Sequence, residues 1–143
     1  MKLRLVTIGK PKLPYATVGW NEYVGRLQRL HTVQVNHLGD KYAEDAAKIQ
    51  EAVVGTYVVA MEITGQMLDS LQLADFLTNR ELEAREVSFI IGGPDGLPNK
   101  IREHADFRWS LSRLTLPHDL AMVVTCEALF RASTIKAGLP YHR

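Results

Sequence analysis

The sequence predicts an α/β fold with a mostly parallel sheet, on three observations. Short apolar runs rich in β-branched residues alternate with stretches spaced like helices. Two of those runs, Thr56–Met61 and Val87–Ile91, are apolar nearly throughout, as strands covered on both faces are. Glycine or proline punctuates the joins, at Gly9, Gly92, Pro98, Pro117 and Gly138.

The elements follow in order. Leu3, Leu5 and Val6 to Ile8 read as a first strand, broken by Gly9 and by the segment Pro11 to Pro14. Trp20, Tyr23, Val24 and Leu27 share one face of a first helix. Val33, Val35 and His37 or Leu38 suggest a second strand. A helix from about Glu44 to Val53 turns Ala46, Ile49 and Val53 inward. After the strand Thr56–Met61, Leu71, Ala74 and Leu77 mark a helix, with Asp69 or Ser70 as its N-cap. Pro98 suits the start of a short helix. Trp109 to Leu116 reads as extended, ending at Pro117. A last helix runs from about Asp119 to Lys136 and stops at Gly138 and Pro140.

That last helix is apolar over most of its circumference, from Leu120 to Ala132. One sheet face cannot cover so wide a surface. The expected second cover is another copy of the chain, which makes a homodimer. The alternative is a helix central to a monomer.

Composition narrows the function classes. With 143 residues, 46% hydrophobic and 23% charged, the chain is expected to form one domain, residues 1–143. Lys+Arg is 17 and Asp+Glu is 16, a net charge of +1, so no strongly basic nucleic-acid tail is present. The single cysteine, Cys126, forms no intrachain disulfide and suits a reducing compartment. No apolar run is long enough to span a membrane, and Met1–Val6 is too short for a secretory h-region. The default location is the cytoplasm. The five histidines show no metal-ligand spacing, so no metal is expected. No phosphate loop and no Gly-x-Ser-x-Gly element occurs.

Three segments are candidates for a site. Ile90-Ile91-Gly92-Gly93-Pro94-Asp95-Gly96 ends a buried strand in glycines, which let a ligand approach the backbone closely. Val59 to Gly65 also ends a strand. Ser110 to His118 ends just before the last helix, whose first N–H groups are free. Ligands of open α/β sheets sit at the carboxyl ends of strands, so the three together make a small-molecule pocket. Each alone is equally a plain connection. The tail Tyr141-His142-Arg143 offers a ring that stacks, a group that titrates near neutrality, and a guanidinium for phosphate or base oxygens. Its plainer reading is a frayed end. Arg131, a charge within the apolar helix, is either ion-paired or an anion contact beside that tail.

End to end, these motifs resemble one family. They are Gly9-Lys10, Glu22-Tyr23, Met61-Glu62 to Gly65, Phe89 to Gly96, Trp109-Ser110-Leu111-Ser112, Leu114-Thr115-Leu116-Pro117-His118, Glu127 to Ala132 and the terminal Tyr141-His142-Arg143. The chain is similar to the ribosomal RNA large subunit methyltransferase H family, of the SPOUT superfamily. The resemblance implies a deep trefoil knot and a homodimer. It implies S-adenosylmethionine held by Met61, Gly93 and Ser112, Arg113, Leu114, Thr115, Leu116 and Pro117. The implied substrate is a pseudouridine, methylated at N3, in a stem-loop (helix 69) of 23S rRNA on the assembled ribosome. His142, Arg143, Tyr141 and Arg131 are then the expected catalytic group, with His142 moving the N3 proton or orienting the base. Two departures stand out: Met61 and Glu62 replace the usual Leu and Asp, and the segment between His37 and Tyr57 is short. Other readings are a ribosome-binding module of the same fold, or methylation of another RNA.

Overall fold

The computed structural model describes all 143 residues. Five strands form one sheet in the order β2-β1-β4-β3-β5, and every pairing is parallel. The strands are β1 (Lys2–Ile8), β2 (Thr32–Leu38), β3 (Tyr57–Met67), β4 (Val87–Ile91) and β5 (Phe107–Ser110). The helices are α1 (Pro14–Gln28), α2 (Ala46–Ala52), α3 (Ser70–Leu82), α4 (Asn99–His104) and α5 (His118–Ala137).

The two-residue period of the strands splits the core in two. Leu3 and Leu5 of β1 join Phe89 and Trp109 beneath α1, α3 and α5. Val6 and Ile8 point the other way, onto Ile49, Ile90, Leu97 and Ile101 beneath α2 and α4. Central β4 is buried at all five residues, as its mostly apolar sequence suggests, and its one polar side chain, Ser88, is satisfied by the Thr56 hydroxyl at 2.7 Å. Edge strand β2 alternates exposed and half-buried positions up to buried Leu38. Asp69 caps α3 in a capping box with Gln72, as its position before the apolar pattern suggests. Leu71 does not face the core as expected. It is 58% exposed, and Leu73 takes that place beside Ala74 and Leu77.

Two strand limits differ from expectation, and both shape the site. The extended segment stops at Ser110, and residues 111–117 leave the sheet as a loop. Gly65 does not end β3, which continues to Met67 through a bulge. Met61 and Gln66 both face Trp109, so Glu62 to Gly65 are extruded. A Cβ at Gly65 would stand 2.6 Å from the Arg108 carbonyl oxygen, which is why glycine lies there.

His31 packs where the chain termini of several elements meet. Its Nε2 lies 2.8 Å from Ser133 Oγ, and its Nδ1 lies 3.4 Å from the N-terminal ammonium. Burial, then the positive charges of the N-terminus and Lys136, push its pKa from 6.5 down to about 4. The unfolded chain therefore takes up a proton that the folded chain refuses. Stability is complete above pH 6.5 and declines as pH falls toward 4. His37, lowered by burial and Lys10, acts in the same sense. Allowing for solvent screening, about 1 kcal/mol should be lost by pH 5 through His31. Urea midpoints at pH 5 and pH 7.5 check this, and His31→Gln should flatten the difference.

Candidate functional site

All strands are parallel, so the loops after β3, β4 and β5 leave the same edge of the sheet. They enclose a crevice of about 380 Å³. Met61 to Ile63 form one wall, Ile91 to Leu97 another, and Leu111, Ser112 and Leu114 to Leu116 a third. Arg102 of α4 and His118 and Ala121 of α5 close it. The three segments singled out in the sequence thus converge on one space.

Local chemistry holds each wall. The β4 loop is a tight turn: Gly96 donates its N–H to the Gly93 carbonyl at 3.0 Å and sits at φ +82°. A Cβ on Gly92 would lie 2.7 Å from the Gly96 carbonyl carbon, so only glycine fits the turn. In the β5 loop, Ser110 donates its hydroxyl to the Ser112 carbonyl, and Leu114 donates its N–H to Ser112 Oγ. The Arg113 guanidinium donates to the Ile63 carbonyl and straps this loop to the β3 bulge. Arg113 and Pro117 therefore stand outside the crevice lining, whereas Met61, Gly93, Ser112, Leu114, Thr115 and Leu116 are in it.

Glu62 fastens the bulge. Its carboxylate accepts from Thr64 Oγ1 at 3.0 Å and Arg102 Nη1 at 3.2 Å, with Arg108 3.9 Å away. A larger cleft of about 660 Å³ lies beyond this bulge. Arg102, Glu103, Asp106 and Arg108 dominate its walls, leaving few apolar groups to clasp an organic ligand.

The buried polar atoms left without partners are concentrated in the crevice. They are Glu62 Oε2, Arg102 Nε, both ring nitrogens of His118, and Arg80 Nε elsewhere. Native interiors pair such atoms, so their gathering here marks a site that awaits a polar ligand. Apolar Met61, Ile91, Leu111 and Leu116 lie beside them, which fits a ligand with both an aromatic and an ionic part. Sequence reading gave no role to Arg102, and took in His118 only as the end of the candidate segment Ser110 to His118. Placing α4 against β3 was needed to find the first. For His118, its position immediately after a helix-opening proline was the available signal.

The tail forms a second cluster at the far end of α5. Gly138 ends the helix in the left-handed conformation, and the chain turns back on itself. The Tyr141 ring meets Phe130 edge-on at 4.8 Å, and its hydroxyl donates to Glu127 at 3.1 Å. Burial first, then hydrogen bonding with Tyr23 and the charge of Glu127, push that phenol up to about 12, so it stays protonated. Arg131 is bound to Glu127 at 2.9 Å, lies over the Tyr141 ring at 4.7 Å, and donates to His142 Nδ1 at 3.3 Å. Arg143 is exposed. Arg131, Tyr141 and His142 are thus assembled together, but away from the crevice: Arg131 is about 20 Å along the helix from His118. Cys126 is buried and its thiol pushed up by burial, consistent with a packing role.

The comparisons agree with this architecture. A family model described as "Predicted SPOUT methyltransferase" matches residues 1–142. Proteins of Deinococcus deserti and Deinococcus radiodurans, both named "Ribosomal RNA large subunit methyltransferase H", are 45% identical over the whole chain and cover 100% and 99% of their own length. One of that name from Pseudomonas aeruginosa is 37% identical over the full length of both chains. Among solved structures, a probable methylase family protein from Haemophilus influenzae superposes with a TM-score of 0.62 at 13% identity, over 99% of this chain and 70% of its own. It shares the fold.

Proposed function

Because this chain belongs to the SPOUT methyltransferase family, we propose that it methylates ribosomal RNA of the large subunit with S-adenosylmethionine as donor. The observation that carries the donor site is the convergence of three strand-end loops on one crevice whose buried polar atoms lack partners. Met61, Gly93, Ser112 and Leu114 to Leu116 would hold the donor, with Arg113 and Pro117 bracing the loop. When bound, S-adenosylmethionine supplies an electrophilic methyl group on a sulfonium.

The finer target is N3 of a pseudouridine in helix 69 of 23S rRNA, on the assembled ribosome in the cytoplasm. That nitrogen is a weakly acidic imide, and losing its proton makes it a nucleophile. Arg131 and Arg143 would stabilise the negative charge left on the base oxygens. Arginine only donates, so its bond to His142 Nδ1 occupies that lone pair and leaves the proton on Nε2. In this arrangement His142 orients the base as a donor. Tyr141, fixed by Glu127 and Phe130, gives the base a surface.

One chain cannot bring these groups to its own crevice, because α5 separates them. A homodimer with antiparallel α5 helices resolves this, since each partner's tail then reaches the other's crevice. The half-exposed apolar residues of α5, among them Leu120, Val123 and Val124, support such an interface. The trefoil knot belongs to the same reading, and the adjacency of the β3, β4 and β5 loops supports it. At a net charge of +1, tight binding of free RNA is not expected, and the ribosome is the better substrate.

The test is transfer of labelled methyl to ribosomes that lack the modification, with mass spectrometry of the rRNA. Label at pseudouridine N3 is the expected result. Label elsewhere would move the target. No label and no donor binding would return the chain to a ribosome-binding module.

A further inference from the structure

His118 is the most exceptional polar side chain in the molecule. It opens α5, lines the crevice, and has both ring nitrogens shut off from solvent with no partner in the chain. An imidazole always carries at least one N–H to donate. Burying it unpaired is unfavourable, and a ligand entering the crevice removes that penalty.

The charges around the crevice sort its ends. At the β3 wall, Glu62 and Arg102 pair with each other at 3.2 Å, so their charges largely cancel and that end exerts little net pull on an anion. At the α5 wall, the nearest carboxylate, Asp119, is engaged, accepting the backbone N–H groups of Lys12 at 2.9 Å and Leu13 at 2.6 Å. The helix behind His118 runs 20 residues and its N-cap, Pro117, provides no side-chain cap. Its positive end is left facing the crevice.

We propose that His118 recognises the carboxylate of the methionine half of the donor, and so distinguishes S-adenosylmethionine from adenosine compounds lacking an amino acid. The proposal rests on the reading of the crevice as the donor site. It also orients the ligand: the methionine end lies at the start of α5, where an antiparallel partner would deliver its tail.

Calorimetry on the full chain tests this with three probes: S-adenosylmethionine, S-adenosylhomocysteine and 5′-methylthioadenosine, which lacks the amino acid. His118→Ala should weaken the first two about tenfold or more and change the third less than about twofold. His118→Gln, which keeps a donor, should recover part of the loss, and thermal melts confirm that both variants are folded. An equal loss for all three probes, or no loss, would overturn the role of His118. Wild-type protein that binds none of them would instead overturn the donor site itself.

Discussion

Two inactive chains, combined, should recover activity. Thr115→Trp places an indole at an exposed position of the crevice lining and blocks it without disturbing the core. Arg131→Ala removes the guanidinium that ties Glu127, Tyr141 and His142 together. Loss of a charge that acts in the transition state typically lowers the rate about 10²–10³-fold. Each variant alone should therefore be nearly silent. If the crevice of one chain uses the tail of the other, a mixed dimer has one intact site out of two. Random pairing makes half the dimers mixed, so co-expression should restore about a quarter of wild-type methyl transfer. A site contained within one chain predicts no recovery, because every site would carry one of the two defects.

The second large effect is at Gly92. An alanine Cβ there would meet the Gly96 carbonyl carbon at 2.7 Å and the Leu97 nitrogen at 2.9 Å. Both are backbone atoms of a turn already closed by a hydrogen bond, so neither yields cheaply. Gly92→Ala should cost about 2–3 kcal/mol and lower the melting temperature by roughly 5–10 °C. The turn that relaxes is a wall of the crevice, so donor binding measured by calorimetry should fall well beyond tenfold. Gly25, in α1, provides the contrast. Its Cβ would meet nothing within 4 Å, and Gly25→Ala should raise stability by about 0.5–1 kcal/mol with donor binding unchanged.

Much of this was legible in the chain itself. Strand β4 and the first half of β3 could be read because a strand covered on both faces permits little but apolar residues. Asp69 could be read as a cap because a carboxylate before an apolar helical pattern has an obvious N–H to accept. The bulge at Glu62 to Gly65 could not. It exists because Met61 and Gln66 both pair with Trp109, a register between segments far apart in sequence. The loop after Ser110 looked extended because Trp109 and Leu111, then Leu114 and Leu116, sit two residues apart with polar residues between, as in a strand. The three leucines line a crevice instead, since β5 ends at Ser110. The separation of the tail from the crevice was hidden for another reason. Motifs are neighbours along a helical sequence, yet a helix of this length carries its two ends to opposite sides of the molecule.

The strand order also governs how the chain must be assembled. Leu3 of β1, among the first residues made, lies opposite Val87 of β4, and its side chain shares a core with Met122 and Leu129 of α5. No early hairpin can protect β1, because its neighbour on one side arrives only after more than half the chain has been synthesised. Pairings so distant in sequence carry a heavy loop-closure entropy and slow the search for the native state. A nascent chain released before α5 would keep an uncovered apolar face, a feature that drives aggregation. The same parallel arrangement that gathers three loops at one edge thus postpones folding until the final helix has been made.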